Sequence, residues 1–203
     1  MGLFIAMTLV IGYLLGNLNG AVWVSHLMKD DVRTHGSGNA GLTNFIRSYG
    51  AHHALLVIAV DALKAVFACL IGGFLLKPYG MHLEGRALGG LAVLLGHVFP
   101  VFLGFRGGKG ILSGLFVALL VDWRIAALIL AVFAVAYFAT SYVSLGSVLA
   151  AAAFGIAFAV LHCDNLTVFL CGVAMSLLVI FMHRQNIVRL VKGEERKTDL
   201  FKK

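Results

Sequence analysis

Apolar runs of the length needed to cross a lipid bilayer recur along this 203-residue chain. A helix needs about 20 apolar residues to span the hydrocarbon core of a membrane. Four runs have this character plainly, a fifth is cleanly apolar, and a sixth is interrupted by Gly96-His97 and Pro100. The sequence therefore predicts an all-α, polytopic membrane protein. In chain order the runs cover roughly 3–26, 53–76, 87–105, 125–140, 144–161 and 166–182.

The composition excludes the other broad classes of protein. Hydrophobic residues make up 61% of the chain and charged residues 12%, about half of the roughly 25% found in soluble domains. A soluble fold could not hide so much apolar surface behind so few charges, and three cysteines cannot crosslink a secreted scaffold. We expect one transmembrane domain, residues 1–203, in which 184–203 form a basic cytoplasmic tail attracted to anionic lipid.

A short apolar segment between Gly110 and Val121 supplies a seventh crossing, and the basic residues test this count. With the N-terminus outside, twelve of the 16 Lys and Arg fall on inner segments, three fall on outer segments, and Lys64 lies within a span. Cytoplasmic loops of membrane proteins are enriched in Lys and Arg. The bias predicts seven transmembrane helices, an outside N-terminus and a cytoplasmic C-terminus. It also accounts for the net charge of +7 without a nucleic-acid partner.

Polar residues gather in four clusters on the predicted cytoplasmic side, and the first is the loop 35–44 followed by Arg47. Gly36 and Gly38 permit backbone conformations that turn successive N–H groups into an anion-binding nest. Arg47 adds a planar guanidinium suited to phosphate. An ordinary connecting loop is the alternative, but the density of Gly and Asn before an Arg favours a phosphate site. The neutral hydrogen-bonding groups of this cluster are Ser37, Asn39, Thr43 and Asn44.

The second cluster is a glycine-rich loop, GFRGGKG, that precedes the short seventh segment. It differs from a nucleotide-binding Walker A loop, because Leu103 stands where a glycine is required and Gly110 replaces the Ser or Thr after the lysine. Free backbone N–H groups, a helix N-terminus and a lysine can still bind a phosphate monoester. A flexible connector is the alternative, and it leaves two cations unexplained. The site would comprise Arg106, Gly107, Gly108, Lys109 and Gly110.

The third and fourth clusters are weaker when each is taken alone. The hydroxyls of residues 140–144 favour a simple cap for a helix that begins near Ser144. In the fourth cluster, His183 and Asn186 are three residues apart and would share one helical face. The alternative for the fourth cluster is a set of interfacial anchors, since polar residues commonly end a span in this way.

Three ionisable residues lie inside predicted spans. Charges in lipid are costly and mark either a function or a buried pair, and for Asp61 and Lys64 a structural ion pair is favoured. His97 has no partner at metal-ligand spacing, so we expect a core histidine and no metal site. No nucleophile stands beside a suitable base. The polar inventory therefore suits the binding of phosphate in a substrate that is already activated.

Four motifs resemble the PlsY family, the acyl-phosphate-dependent glycerol-3-phosphate acyltransferases of bacteria. They are GSGNAGLTN-x-x-R from Gly36, GHVFP from Gly96, GFRGGKG from Gly104, and HRQNIVRLVKGEE from His183 to Glu195. The resemblance implies seven transmembrane helices and an active site on the cytoplasmic face of the bacterial inner membrane. The implied reaction transfers a fatty acyl group from acyl phosphate to the 1-hydroxyl of glycerol 3-phosphate. Its products are lysophosphatidic acid and phosphate, in the first step of phospholipid synthesis.

The resemblance also implies roles for residues of this chain. The first motif would hold the acyl phosphate, the second would cradle glycerol 3-phosphate, and Ser144 and Glu195 fit further family positions. The implied partners are the two substrates and membrane lipid, without coenzyme A, cofactor or metal, and the expected state is a monomer. The implied catalytic residues are Ser37, Arg47, Lys109, His183 and Asn186. The implied substrate-binding residues are Gly36, Gly38, Asn39, Thr43, Asn44, Arg106, Gly107, Gly108, Gly110 and Ser144.

Two observations bear on what the resemblance leaves open. Leu42, Met182 and the run Ile111-Leu112-Ser113 depart from the usual family residues, which leaves the acyl-chain preference undetermined.

The alternative function is a small anion transporter built from the same phosphate-binding groups. Transporters place their sites near the membrane midplane, often between repeated halves. Here the clusters lie at one face and no internal repeat is visible, which favours the enzyme.

Overall fold

The computed structural model of this protein describes residues 1–198 and confirms the all-α prediction. Ten α-helices and three short 3₁₀ turns, with no strand, occupy the described residues. Lys202 and Lys203, two of the twelve predicted inner cations, lie outside that range. The helices are α1 Gly2–Gly16, α2 Gly20–Leu27, α3 Leu42–Tyr49, α4 Ala54–Leu76, α5 His82–Val98, α6 Ile111–Val121, α7 Trp123–Thr140, α8 Val143–Leu161, α9 Leu166–Met182 and α10 Arg184–Val191.

The number of full-length spans is smaller than the predicted seven. Five helical segments of the described chain are long and apolar enough to cross a membrane. A sixth is obtained if α9 and α10, bent by 55° at His183, count as one span. The remaining predicted crossing, α6, has 11 residues. All seven predicted segments are helical, but the seven-crossing topology stays a prediction. The five spans are Gly2–Leu27, Ala54–Tyr79, His82–Leu103, Trp123–Thr140 and Val143–Leu161.

Helix α5 lies at the centre of the bundle, against α1, α4, α6 and α9. Glycines permit the closest of these contacts. A Cβ on Gly16 of α1 would lie 2.7 Å from the Cα of Gly96 in α5, so a larger residue would push the two helices apart. Helices α7, α8 and α9 pack in sequence beside this group. The interrupted run of the sequence is therefore a continuous helix through His97 that ends before Pro100.

The first span is broken between α1 and α2, at Asn17–Asn19, which the average hydropathy of the run does not predict. Asn19 caps α2, since its Oδ1 accepts from the backbone N–H of Val22 at 3.0 Å. Its Nδ2 donates to the carbonyl of Ala40 at 3.0 Å. The break therefore fixes the position of the first polar loop.

Two short helices, α3 and α10, accompany the polar clusters. The C-terminal half of the first cluster is helical from Leu42, and fully buried Phe45 anchors it in a small separate core with Val32 and Val57. The start of the basic tail is helical over Arg184–Val191, which forms α10. The outer surface of the spans carries large exposed apolar residues, including Leu55, Phe74, Phe138, Ile156 and Leu177, as expected for an integral membrane protein.

Candidate active site

All four polar clusters contribute to one cavity of about 420 Å³. Arg47, Lys109, Ser144 and His183, one from each cluster, line it. The rest of the lining is apolar and comes from the interior of the spans, including Leu115, Ile129, Phe133, Phe154 and Met175. The cavity therefore joins a charged end to an apolar end, and it brings together residues as distant in the chain as Ser37 and Glu195.

Asn44 organises the first loop. The side chain is 2% exposed, and its Nδ2 donates to the carbonyls of Val32 at 3.0 Å and His35 at 3.1 Å. Its Oδ1 accepts from the backbone N–H of Ser37 at 3.0 Å. Asn44 thus shapes the loop that presents Ser37 and Asn39 to the cavity. Gly36, at φ +58°, lies against Asn44 where a Cβ would collide, and neither Gly36 nor Gly38 lines the cavity.

Arg47 of α3 bridges to the C-terminal segment. Its Nη2 donates to the hydroxyl of Thr198 and to the carbonyl of Arg196. Burial lowers the pKa of the Arg47 guanidinium, and the charge of Glu195 opposes that shift. Because arginine stays protonated even when its pKa falls moderately, Arg47 supplies a fixed positive charge at the cavity rim.

Lys109 is a partly buried cation that lines the polar end of the cavity. Its Nζ donates to Oδ1 of Asn186. Burial, with the nearby charges of Arg189 and Arg47, lowers the pKa of Lys109 to about 8, while Glu195 acts in the opposite direction. Lys109 is therefore a cation at neutral pH, and an anionic ligand would favour its charged form further.

His183 lies at the bend between α9 and α10 and is 4% exposed. Its Nδ1 is 2.8 Å from the carbonyl oxygen of Val179. A carbonyl can only accept, so Nδ1 carries the proton, and in the neutral ring Nε2 is left as an acceptor. Since His183 lines the cavity, this geometry can receive a proton there.

Asn186 lies on the same face as His183, as the sequence predicts. It is held in place by Glu195 and Arg189, two residues outside the predicted catalytic and substrate-binding sets. Its Nδ2 donates to Glu195 Oε1 at 3.0 Å. Glu195 Oε2 accepts from Arg189 Nε at 2.7 Å. Glu195 and Arg189 both line the cavity. The last residue of the fourth motif pointed to Glu195, whereas Arg189 had no sequence signal beyond its charge.

The helix predicted to begin near Ser144 is present, but the predicted hydroxyl cap is absent. Helix α8 begins at Val143 behind Tyr142, without a side-chain cap. Ser144 lies in its first turn, and its buried hydroxyl has no hydrogen-bond partner among the described residues. It lines the cavity instead, so its hydroxyl is available to a ligand.

The glycine-rich loop is not a single cradle, because its residues point in different directions. Lys109 and Gly110 line the cavity, whereas Arg106 is exposed and lines a separate small pocket with Asp31 and Arg33. Gly104 and Phe105, both near φ +60°, turn the chain outward before Arg106. Gly107 and Gly108 pack against the end of α5, where the Gly108 N–H donates to the carbonyl of His97 at 3.1 Å.

The predicted structural ion pair inside the second span is confirmed. Lys64 Nζ lies 2.7 Å from Asp61 Oδ1, and both side chains are almost fully buried. His97 contacts this pair, and Asp61 and His97 also line the cavity. No group of three or more His, Cys, Asp and Glu in residues 1–198 has the arrangement of a metal site.

The chain is similar to known proteins over most of its length. Residues 6–193 match the family model described as glycerol-3-phosphate acyltransferase. A glycerol-3-phosphate acyltransferase of Thermoanaerobacter pseudethanolicus is 39% identical over 96% of both chains. One from Neisseria meningitidis serogroup B is 38% identical over 92% of this chain and 94% of the relative.

Two crystal structures of PlsY, an integral membrane glycerol 3-phosphate acyltransferase, have the same fold. The glycerol 3-phosphate form has a TM-score of 0.85 and 33% identity, over 98% of this chain and 99% of that one. The lysophosphatidic acid form has a TM-score of 0.83 and 32% identity, over 97% and 96%. The chain therefore belongs to the PlsY family of integral membrane glycerol-3-phosphate acyltransferases.

Proposed function

We propose that this enzyme transfers a fatty acyl group from acyl phosphate to the 1-hydroxyl of glycerol 3-phosphate. The products would be lysophosphatidic acid and inorganic phosphate, in the first step of phospholipid synthesis. The observation that carries the proposal is the two-part cavity. Arg47 and Lys109 lie at its polar end, and Phe133, Phe154 and Met175 line its apolar end. A substrate with an anionic head and an alkyl chain matches both parts.

Acyl phosphate is a mixed anhydride, so its phosphate is already a good leaving group. The enzyme therefore has to orient its substrates more than to activate them. The substrate hydroxyl attacks the carbonyl carbon, a new carbon–oxygen bond forms, and the bond from that carbon to the phosphate oxygen breaks. Phosphate leaves with the electron pair. Binding both substrates in one cavity makes this attack effectively intramolecular. Arg47 would stabilise the charge that grows on the departing phosphate.

Two groups can take the proton of the attacking hydroxyl. One is a phosphate oxygen of the substrates, and the other is His183. Support for His183 comes from its hydrogen bond to the carbonyl of Val179, which leaves Nε2 unprotonated. Asn186, fixed by Glu195, would hold Lys109 against the phosphate of glycerol 3-phosphate.

We infer seven crossings, with the N-terminus outside and the tail 184–203 in the cytoplasm of a bacterial cell. The cavity would then open on the cytoplasmic face of the inner membrane, where both substrates can reach it. Helix α6 spans only about 16 Å at 1.5 Å per residue, so it would cross with help from the loop before it. The 12-to-3 distribution of basic residues supports this orientation. The enzyme is proposed to act as a monomer, without coenzyme A, cofactor or metal.

The test is to supply purified protein in micelles with acyl phosphate and glycerol 3-phosphate. Release of phosphate that depends on both substrates, without coenzyme A, is the expected result. Mass spectrometry of the product should show one acyl chain, at the 1-position. Phosphate movement across sealed vesicles without any chemistry would contradict the proposal and favour the anion transporter.

A further inference from the structure

Lys64 connects the break in the first span to His97. Its Nζ lies 2.7 Å from Asp61 Oδ1, 2.7 Å from the carbonyl oxygen of Leu18 and 2.7 Å from His97 Nδ1. The carboxylate of Asp61 favours the ammonium form of Lys64. An ammonium group has three donors and no acceptor. All three donors are therefore used, one of them toward the imidazole.

This contact determines the tautomer of His97. Because Lys64 can only donate, Nδ1 must be the acceptor, and the neutral ring carries its proton on Nε2. His183 has the opposite tautomer, because its Nδ1 donates to the carbonyl of Val179. The cavity is thus lined by one histidine whose Nε2 accepts and one whose Nε2 donates.

The Nε2–H of His97 has no hydrogen-bond partner among the described residues. The side chain is 4% exposed and lines the cavity. It also lies directly against the loop before Lys109, because a Cβ on Gly108 would collide with Nε2. Nε2 is not among the fully buried unpaired atoms of the described residues, so it keeps access to the cavity and can donate to a ligand there.

We propose that His97 is a further substrate-binding residue, whose Nε2–H donates to the phosphate of glycerol 3-phosphate beside Lys109. Lys64 and Asp61 act through it as positioning residues, since they hold the ring in the donating tautomer. The inference rests on the proposed function, which supplies the phosphate. It also gives a reason for keeping two charges inside the second span, where they are costly.

Two substitutions separate the donor from the volume of the ring. His97→Leu removes the donor, and we expect the KM for glycerol 3-phosphate to rise about 10- to 100-fold, as for loss of a hydrogen bond to a charged group. His97→Gln can place an amide N–H near the same point and should retain most of that affinity. The KM for acyl phosphate should change little in either variant. An unchanged KM for glycerol 3-phosphate in His97→Leu, or a rise confined to acyl phosphate, would overturn the inference.

A matched control uses the buried histidine at the other end of the bundle. His162 is 9% exposed, and its Nε2 lies 3.3 Å from Asp122 Oδ2. His162→Leu removes a histidine of similar burial beside a carboxylate, and it should leave the KM for glycerol 3-phosphate unchanged. An equal rise in this control would show a general loss of structure and would also overturn the inference.

The tautomer can be observed without turnover, by nitrogen-15 spectra of histidine-labelled protein, with the His97 signals identified from His97→Gln. We expect a protonated Nε2 and an unprotonated Nδ1, and glycerol 3-phosphate alone should shift the Nε2 signal. Lys64→Met should move the proton to Nδ1, because the ring loses its donor and can then approach Asp61 Oδ1, 3.8 Å away. This variant should raise the KM as His97→Leu does. A protonated Nδ1 in the unsubstituted protein would refute the inference, even where that protein releases phosphate. Failure of phosphate release alone would refute the proposed function.

Discussion

The two ends of the helix bundle use their charged residues differently. At the end where α7 begins and α8 stops, Asp122 accepts from the backbone N–H of Arg124 at 3.0 Å and pairs with its guanidinium at 2.6 Å. Glu84 there accepts from Asn165, which caps α9, at 2.8 Å. These groups therefore cap helices or pair with one another.

At the cavity end, cations exceed the carboxylates available to them. Arg47, Lys109 and Arg189 line the cavity, and Glu195 is the acid among them. The other lining carboxylate, Asp61, is already paired with Lys64. Positive charge that the protein leaves unbalanced in a half-buried cavity is costly unless an anion completes it. Charge at the far end therefore stabilises the fold, whereas charge at the cavity end prepares the site for an anionic ligand.

The largest effect should come from Arg47. Arg47→Ala should lower kcat/KM about 10²- to 10³-fold, the loss typical of removing one group that stabilises developing charge. Arg47→Lys should fail nearly as badly, because a point charge cannot replace the planar fork of arginine. Steady-state kinetics with both substrates measure this. Arg124→Lys at the far end is the control. A comparable loss of kcat/KM in that variant would contradict the proposed difference between the two ends.

A smaller effect should follow from Glu195, which orients Asn186 and Arg189. Glu195→Gln weakens a charge-assisted hydrogen bond in a buried network, and we expect kcat/KM to fall about 10- to 100-fold. The same substitution at the far end, Glu84→Gln, affects only the bond to Asn165 and should leave kcat/KM unchanged. Steady-state kinetics distinguish the two variants, when both are measured at a temperature at which thermal unfolding shows them to be folded. Equal behaviour of the variants would contradict the difference between the ends.

The pH dependence of binding should follow Lys109, whose pKa is about 8. Lys109 is charged below that pH and loses its charge as the pH rises through it. The kcat/KM for glycerol 3-phosphate should therefore decline above pH 8, approaching about tenfold per pH unit in the limit. In Lys109→Arg the decline should be absent up to pH 10, because arginine stays protonated. Retention of the decline in that variant would assign it to another group.

The smallest effect on activity should come from Asp122. Asp122→Ala removes the cap of α7 and should lower the free energy of unfolding by about 0.5–2 kcal/mol. Thermal unfolding in detergent measures this loss, and kcat/KM at temperatures below the transition should not change. Reduced turnover without reduced stability would show that the far end takes part in catalysis.

Hydropathy located the helical segments well, and its failures have local causes. Hydropathy does not predict the break at Asn17–Asn19, because two asparagines hardly lower the average of a mostly apolar run, and the capping bond of Asn19 to Val22 depends on the folded backbone. Proximity in sequence groups Arg106 with Lys109, but two residues at positive φ separate their directions. The hydroxyls of residues 140–144 suit a helix cap by residue type, but α8 begins at Val143 behind Tyr142 without a side-chain cap.

Hydropathy and backbone hydrogen bonding in lipid are local requirements, so the membrane environment and the helical segments can be read from the amino-acid sequence. The residue types that suit phosphate can be read from it as well. Which of these residues meet depends on the packing of the helices. Lys109 contacts Asn186 across 77 positions, and Arg47 contacts Thr198 across 151. Such contacts depend on how the helices pack. The turn at Gly104 and Phe105 shows in addition that the local backbone direction decides which side chains reach the cavity.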